Sequence, residues 1–264
     1  MDPTWLGAVR RTIGAVALRL YTFLISHFSE KVRWTLDFNR VEYEEKRLLP
    51  GPHVPTVRRH APKSTVPLLL HDDTVIQGSK AILDYIETHL GATRLRARPE
   101  DATRAAEIEA LADQAFGLGT QRIFYFSLLE HRAALIDLWA QGGPVWGPTF
   151  YKLAFPVLGR ALRATYDVRP EPVAQAKDLF RRTFDELDRT LASRQYLLGD
   201  TLSRADVTVA SLLAPLCQPP EHPLRWPSDT PPEHATFVAE FRDRPTWAHV
   251  RRLYRDHRRA QRSA

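Results

Sequence analysis

Ser26-His27-Phe28-Ser29-Glu30-Lys31-Val32-Arg33-Trp34 decides how this chain is read. Before it, Leu18 to Ile25 is an apolar, β-prone run with Arg19 and Thr22 as its only polar members, the pattern of a buried strand. Phe28, Val32 and Leu36 recur at i, i+4 and i+8, which predicts a helix from about Phe28 to Asn39 with one apolar face. Ser26 stands just ahead of it, where a side-chain oxygen accepts from the orphan N–H groups of a first turn. Val41, Tyr43 and Glu45 then alternate with charged residues and predict a second strand. Such a β-α-β unit favours a parallel pair joined by a right-handed crossover.

Beyond this unit lies a loop rich in Pro, His and Arg, from Pro50 to Pro62. Thr65-Val66-Pro67-Leu68-Leu69-Leu70 reads as a strand entered through a proline, His71-Asp72-Asp73 as a turn, and Thr74-Val75-Ile76 as the returning strand of a hairpin. Gln77-Gly78-Ser79-Lys80 opens a helix that carries Ile82, Leu83, Ile86 and Leu90 inward and ends at Gly91 as its C-cap. The order β-α-β, loop, β-β-α is that of the thioredoxin fold. Pro67 stands where that fold carries a cis-proline, so a cis Val66–Pro67 bond is expected.

The second half reads as helical. Residues 92–101 form a linker, and from Ala102 onward Ile108, Leu111, Ala115 and Leu118 make one apolar stripe and Phe180, Phe184, Leu187 and Leu191 another. A Gly/Pro/Trp-rich stretch from Gln141 to Pro156 interrupts the pattern. In Gly199-Asp200-Thr201-Leu202-Ser203-Arg204-Ala205-Asp206-Val207, Ser203 is placed as an N-cap with Asp206 at N3, and Leu202 can staple onto Val207. Prolines from Pro215 to Pro232 predict a long irregular segment before a last helix over about 245–257.

The chain has 264 residues, with 37 Lys+Arg against 31 Asp+Glu and a net charge of +6. Its 44% hydrophobic content excludes a mainly disordered chain. Cys217 is the single cysteine, which excludes an internal disulfide, a cysteine-based zinc site and a CxxC redox centre. Such a chain suits a reducing, cytoplasmic location, and no metal-ligand set is read from it. Arg251, Arg252, Arg255, Arg258, Arg259 and Arg262 crowd the tail. With no aromatic platform beside them they read as a solvated helix end, and no nucleic-acid partner is expected. No run is long and apolar enough for an integral membrane segment. The run Val145 to Leu162, broken by Gly, Pro and Lys152, reads as packed helix, with a membrane-surface role as the lesser alternative.

Three motifs in order, Ser26 to Trp34, then Thr65-Val66-Pro67, then Ser79-Lys80-Ala81-Ile82, resemble the glutathione S-transferase superfamily. The resemblance covers nearly the whole chain and includes the capping box at Ser203. It implies an N-terminal extension (1–17), a thioredoxin-like glutathione-binding domain (18–91), the linker (92–101) and an all-helical C-terminal domain (102–264). The N-terminal extension and the Pro-rich insertion depart from the family's pattern.

What the resemblance implies about chemistry is activation of the thiol of glutathione as cosubstrate. Ser26 matches the catalytic serine of zeta-like classes and the catalytic cysteine of omega-like ones. With serine there, no mixed disulfide with glutathione can form at that position, which favours conjugation, isomerisation or lyase chemistry over thiol–disulfide exchange. Tyr21 stands too early for a tyrosine-type site, and Thr22 falls nearest that place. His27 reads as a base or a loop residue, with the loop residue favoured. Val66, between Thr65 and Pro67, is expected to pair with the peptide part of glutathione, and Ser79 to hold its γ-glutamyl carboxylate. Relatives have Glu or Gln directly before that serine; here Gly78 stands there and Gln77 lies one position earlier. Arg58, Arg59, His60 and Lys63 could face the glycyl carboxylate. Phe124, Tyr125, Phe126, Trp139, Trp146 and Tyr151 are candidates for the pocket of a small hydrophobic electrophile, although core packing is the commoner role for such residues. A homodimer is also implied. Two functions stay open: a glutathione-dependent enzyme, or a binding or scaffold protein that keeps the fold without catalysis.

Overall fold

β1 (Leu18–Thr22) is the strand on which the N-terminal sheet is built. It pairs in parallel with β2 (Glu44–Arg47) and antiparallel with β3 (Leu68–His71), which pairs antiparallel with β4 (Thr74–Gln77), giving the order β2-β1-β3-β4. This is a computed structural model, and it describes residues 18–227 and 231–258; the expected extension over 1–17 lies outside them, as do Arg259 and Arg262.

Period-two alternation splits the strand side chains between two layers. Leu18, Leu20 and Leu69 pack with Val32 and Leu36 of α1 (His27–Asn39) and Ile82, Leu83 and Ile86 of α3 (Ser79–His89). Tyr21, Leu68 and Leu70 face the other way, onto Val57 of α2 (Val54–Arg58), a short helix inside the segment read as loop. β1 stops at Thr22, three residues short of the predicted end. The carbonyls of Phe23 and Leu24 turn instead to the Arg33 guanidinium, at 3.4 and 3.5 Å, and Ser26 N–H closes a turn onto Phe23. The Val66–Pro67 peptide is cis, and β3 starts at Leu68 rather than Thr65.

The register carries the functional consequence. Tyr21 lies opposite Leu68, and Leu68 opposite Gln77. The exit from β1 to Ser26, the entry to β3 through Val66 and Pro67, and the exit from β4 to Gly78 and Ser79 therefore meet at one end of the sheet.

The helical part comprises α4 (Ala102–Ala112), a π-helical segment (Asp113–Leu118), α5 (Gly119–Leu128), α6 (Arg132–Ala140), α7 (Gly147–Thr165), α8 (Pro170–Leu191), α9 (Arg204–Cys217), α10 (Pro232–Ala239) and α11 (Pro245–His257). α9 is its centre: every residue from Ala205 to Cys217 is buried, and it packs against α1. Phe116, Phe180, Phe184, Phe237 and Phe241 form an aromatic cluster beside it. The stripe expected from Ile108 to Leu118 fails at its last member. The π-helical turns rotate Leu118 out, leaving it 49% exposed. Pro156 and Pro215, read as interruptions, both lie inside helices. The break between α6 and α7 is only 141–146, and the Pro-rich segment begins at Gln218 and contains α10. Among the described residues no helix is long and apolar enough to cross a membrane.

Candidate functional site

Ser26 has extended backbone (φ −78°, ψ 112°) and its Oγ accepts from Ser29 N–H at 3.1 Å, so it caps α1 as its sequence position predicts. A hydroxyl has two acceptor lone pairs and one proton. The cap uses one lone pair, and no acceptor among the described residues takes the proton. Ser26 is only half-buried. The N–H groups of His27 and Phe28 have no acceptor among the described residues, whereas Glu30 N–H is bonded to Ser26 carbonyl at 2.9 Å. A helix start of this kind, with free N–H groups and the positive end of the helix dipole, suits an anion.

His27 is the first residue of α1, not a loop residue as the sequence suggested. It is buried, and its Nε2 lies 3.1 Å from the Gly117 carbonyl in the π-helical segment. Burial lowers its pKa to about 4, so the ring is neutral near pH 7 and holds the seam between the two parts of the chain. Phe28 fills the same seam. A Cβ at Gly117 would stand 2.4 Å from the Phe28 ring, so any side chain there would displace that ring from the seam. Thr22 is fully buried and donates to Glu45 at 2.7 Å, and Tyr21 packs against α2, so neither points its hydroxyl to the Ser26 end in the manner of a tyrosine-type site.

At the β3 entry, Thr65 is exposed, Val66 half-buried and Pro67 buried. The Gln77 amide donates to the Lys63 and Thr65 carbonyls, each at 2.8 Å, and Gly78 N–H donates to the Pro67 carbonyl at 3.0 Å. Gln77 thus braces the loop ahead of Pro67. Val66 sits between these tied positions with its backbone N–H and carbonyl unpaired among the described residues. Gly78 has φ +98° and nothing within 4 Å of where a Cβ would stand, so the space beside it is open but its backbone disfavours any L side chain. Ser79 is buried at the first position of α3.

Of the loop residues expected to face the glycyl carboxylate, Arg58, Arg59, His60 and Lys63 are all exposed, and Arg58 donates to the Pro62 carbonyl. Most of the aromatic candidates serve the core. Trp139 and Tyr151 are buried, and Tyr125 stacks on Tyr166 at 5.0 Å. Trp146 is half-exposed.

The charges of the deciding stretch turn inward. Glu30, Lys31 and Arg33 are fully buried. Glu30 pairs with Arg258 at 2.7 Å and with Arg33 at 3.0 Å, Arg33 also reaches Glu45 at 3.0 Å, and Lys31 pairs with Asp113 at 2.9 Å. Burial alone would push the Glu30 carboxyl up, but Arg258 and Arg33 outweigh it and hold it at about 2. Arg258, read from sequence as part of a solvated tail, is buried over the Trp34 ring and also bonds Asp37 at 2.7 Å. The signal for this was present: charges at 30, 31 and 33 leave α1 no polar face separate from Val32 and Trp34.

Comparison with known proteins agrees with this architecture. The family described as glutathione S-transferase, N-terminal domain, matches residues 20–94, and that described as glutathione S-transferase, C-terminal domain, matches residues 170–252. Together they span more than half of the sequence, and the chain belongs to the glutathione S-transferase superfamily. No curated protein matches it significantly. Solved structures do. The beta-etherase LigF from Sphingobium sp. strain SYK-6 is 20% identical with a TM-score of 0.59, over 89% of this chain and 98% of that one. A glutathione S-transferase of Ceriporiopsis subvermispora in complex with glutathione is 18% identical with a TM-score of 0.59, over 94% of this chain and 100% of its own. The theta class enzyme from Xanthomonas axonopodis pv. citri, with glutathione bound, is 17% identical with a TM-score of 0.54, over 89% and 96%. At such identities the likeness is one of fold.

Proposed function

We propose that this chain is a glutathione-dependent transferase, isomerase or lyase acting on a small hydrophobic electrophile, with Ser26 donating to the cosubstrate's sulfur. The observation that carries this reading is the unspent proton of the Ser26 hydroxyl at the open start of α1. A free thiol has a pKa near 8.5 and reacts as thiolate. The hydroxyl proton and the free N–H groups of the first turn would favour that charged form. The unpaired Val66 backbone offers the peptide part of glutathione a β-like partner beside Pro67, and Ser79 at the start of α3 offers a carboxylate its N–H groups. His27 takes no part as a base, since its ring is bonded to Gly117. The subgroup is the serine type, and a homodimer is part of the proposal, to be checked by light scattering at micromolar concentration.

Gly78 favours a second reading, a binding or scaffold protein without catalysis, because it offers no side chain next to Ser79. Calorimetry with glutathione at millimolar concentration, followed by titration of the bound thiol, separates the two. Binding with a lowered thiol pKa supports the enzyme, binding with an ordinary thiol pKa supports the second reading, and no binding removes glutathione from both.

A further inference from the structure

α7 is apolar on both of its sides. On the inner side Tyr151 is fully buried and donates to the Pro50 carbonyl at 2.8 Å, while Phe150 and Leu158 pack toward Gly51. On the outer side Leu153 is 79% and Val157 69% exposed, and just ahead of the helix Val145 is 99% and Trp146 50% exposed. With 3.6 residues per turn, Trp146, Leu153 and Val157 fall on one stripe. A contiguous apolar patch left in water marks an interaction surface.

The charge of this face is one-sided. From Leu138 to Tyr166 the sequence holds no Asp or Glu but includes Lys152, Arg160 and Arg163. Arg132 of α6 lies over the Phe155 ring at 5.1 Å and donates to the Lys152 carbonyl. The neighbouring acids are Glu130, paired with Arg163 at 2.5 Å, and the exposed Asp137. Lys152 and Arg160 are exposed and make no ion pair among the described residues. A groove of about 310 Å³ runs along the same helix, lined by Leu129, Phe155, Pro156 and Gly159 together with Arg160 and Arg163. Apolar side chains next to guanidinium groups are complementary to an amphiphile with an anionic head.

We propose that the outer face of α7 docks on an anionic phospholipid bilayer. Trp146, Leu153 and Val157 enter the interfacial layer, and Lys152, Arg160 and Arg163 meet the headgroup phosphates. The helix lies on the membrane rather than across it, because three cations interrupt it. A second copy of the chain fits this face less well. A two-fold contact sets a patch against itself, which here brings cation against cation with only Glu130 and Asp137 to offset them.

The test is sedimentation of the full chain with vesicles of phosphatidylcholine alone or enriched in phosphatidylglycerol, at low and high salt. The expected result is partition onto the phosphatidylglycerol vesicles only, released by salt, with a blue shift in tryptophan emission that Trp146→Phe removes. Lys152→Gln and Arg160→Gln should each weaken partition about fivefold. Leu153→Ser with Val157→Ser should abolish it while the melting temperature holds, since those side chains already face water. The proposal is overturned if the wild type ignores anionic vesicles at low salt. It is equally overturned if partition is unchanged in Lys152→Gln, in Arg160→Gln and in the Leu153→Ser with Val157→Ser variant, or if light scattering finds a dimer that Leu153→Ser with Val157→Ser converts to monomer.

Discussion

Two serines cap two helices in this molecule, and only one of the caps is closed. At α9, Ser203 Oγ accepts from Asp206 N–H at 3.5 Å. The Asp206 carboxylate in turn accepts from Ser203 N–H at 2.9 Å, Ser203 Oγ at 2.6 Å and Leu197 N–H at 2.9 Å, and lies 3.0 Å from His249 Nε2. The whole cluster is buried. At α1, the equivalent third position is Ser29, whose hydroxyl is buried without a partner, and the cap Ser26 is half-exposed with its proton unspent. The histidine at the open cap bonds a backbone carbonyl, Gly117, rather than a carboxylate. A closed cap stabilises a fold; an open one leaves donors for a ligand. The same residue type in the same local role thus serves two ends, and the third residue of each helix makes the difference.

The largest effect expected is from acid, through three buried histidines of which His27 stands at the open cap. Burial holds His27, His222 and His234 at about 4 against an ordinary 6.5. Their native-state values are depressed, so between pH 6.5 and 4 the unfolded chain binds up to three more protons than the native one. Stability is therefore fully present above about pH 6.5 and falls as pH drops through that window. Taken alone, these groups would cost about 2 kcal/mol each by pH 5. Denaturant midpoints at pH 7 and pH 5 check the sum, and His27→Gln should remove about a third of the difference.

Next comes the closed cap. Asp206→Ala leaves two buried N–H groups, a serine hydroxyl and the His249 ring without their acceptor, and a loss of about 3–5 kcal/mol is expected. A change under about 1 kcal/mol in urea unfolding would show that the two caps do not differ as described.

Ser26→Ala tests the open cap in two readouts. The missing acceptor should cost about 1 kcal/mol of stability. The missing proton should raise the pKa of the bound thiol and slow turnover on the order of 10–100-fold, the worth of a hydrogen bond to a charged group. Melting and thiol titration on one variant separate these. A lower melting point with an unmoved thiol would leave Ser26 as a cap alone. The smallest effect belongs to Ser29→Ala. Deleting a buried hydroxyl without a partner should change stability by less than about 0.5 kcal/mol. A large fall in activity at unchanged stability would instead put Ser29 at the sulfur.

The layout of the first half was legible because its elements are local. Strand alternation, the i, i+4 spacing in α1, the hairpin turn at Asp72 and the glycine at the start of α3 each follow from a few neighbouring residues. The cap at Ser26 and the capping box at Ser203 were legible for the same reason. The π-helical turns, which rotate Leu118 into solvent and carry Gly117 to Phe28 and His27, left no local mark in the sequence beyond the glycines themselves. Nor did Gln77 announce that its amide would be spent on the carbonyls of Lys63 and Thr65.

By itself the sequence determined the order of strands and helices in the first half and the serine at the head of α1, since backbone preferences and apolar periodicity act over a few residues; the superfamily and the cis bond before Pro67 were legible only through the resemblance of its motifs. Only the tertiary structure decided what those residues touch. Arg258 meets Glu30 across 228 positions, His27 meets Gly117 across 90, and Leu153 and Val157 on the outer side of α7 stay exposed. Burial and charge pairing between distant segments are properties of the packed chain, and they turned a tail arginine into an internal bolt and an apolar helix into an exposed face.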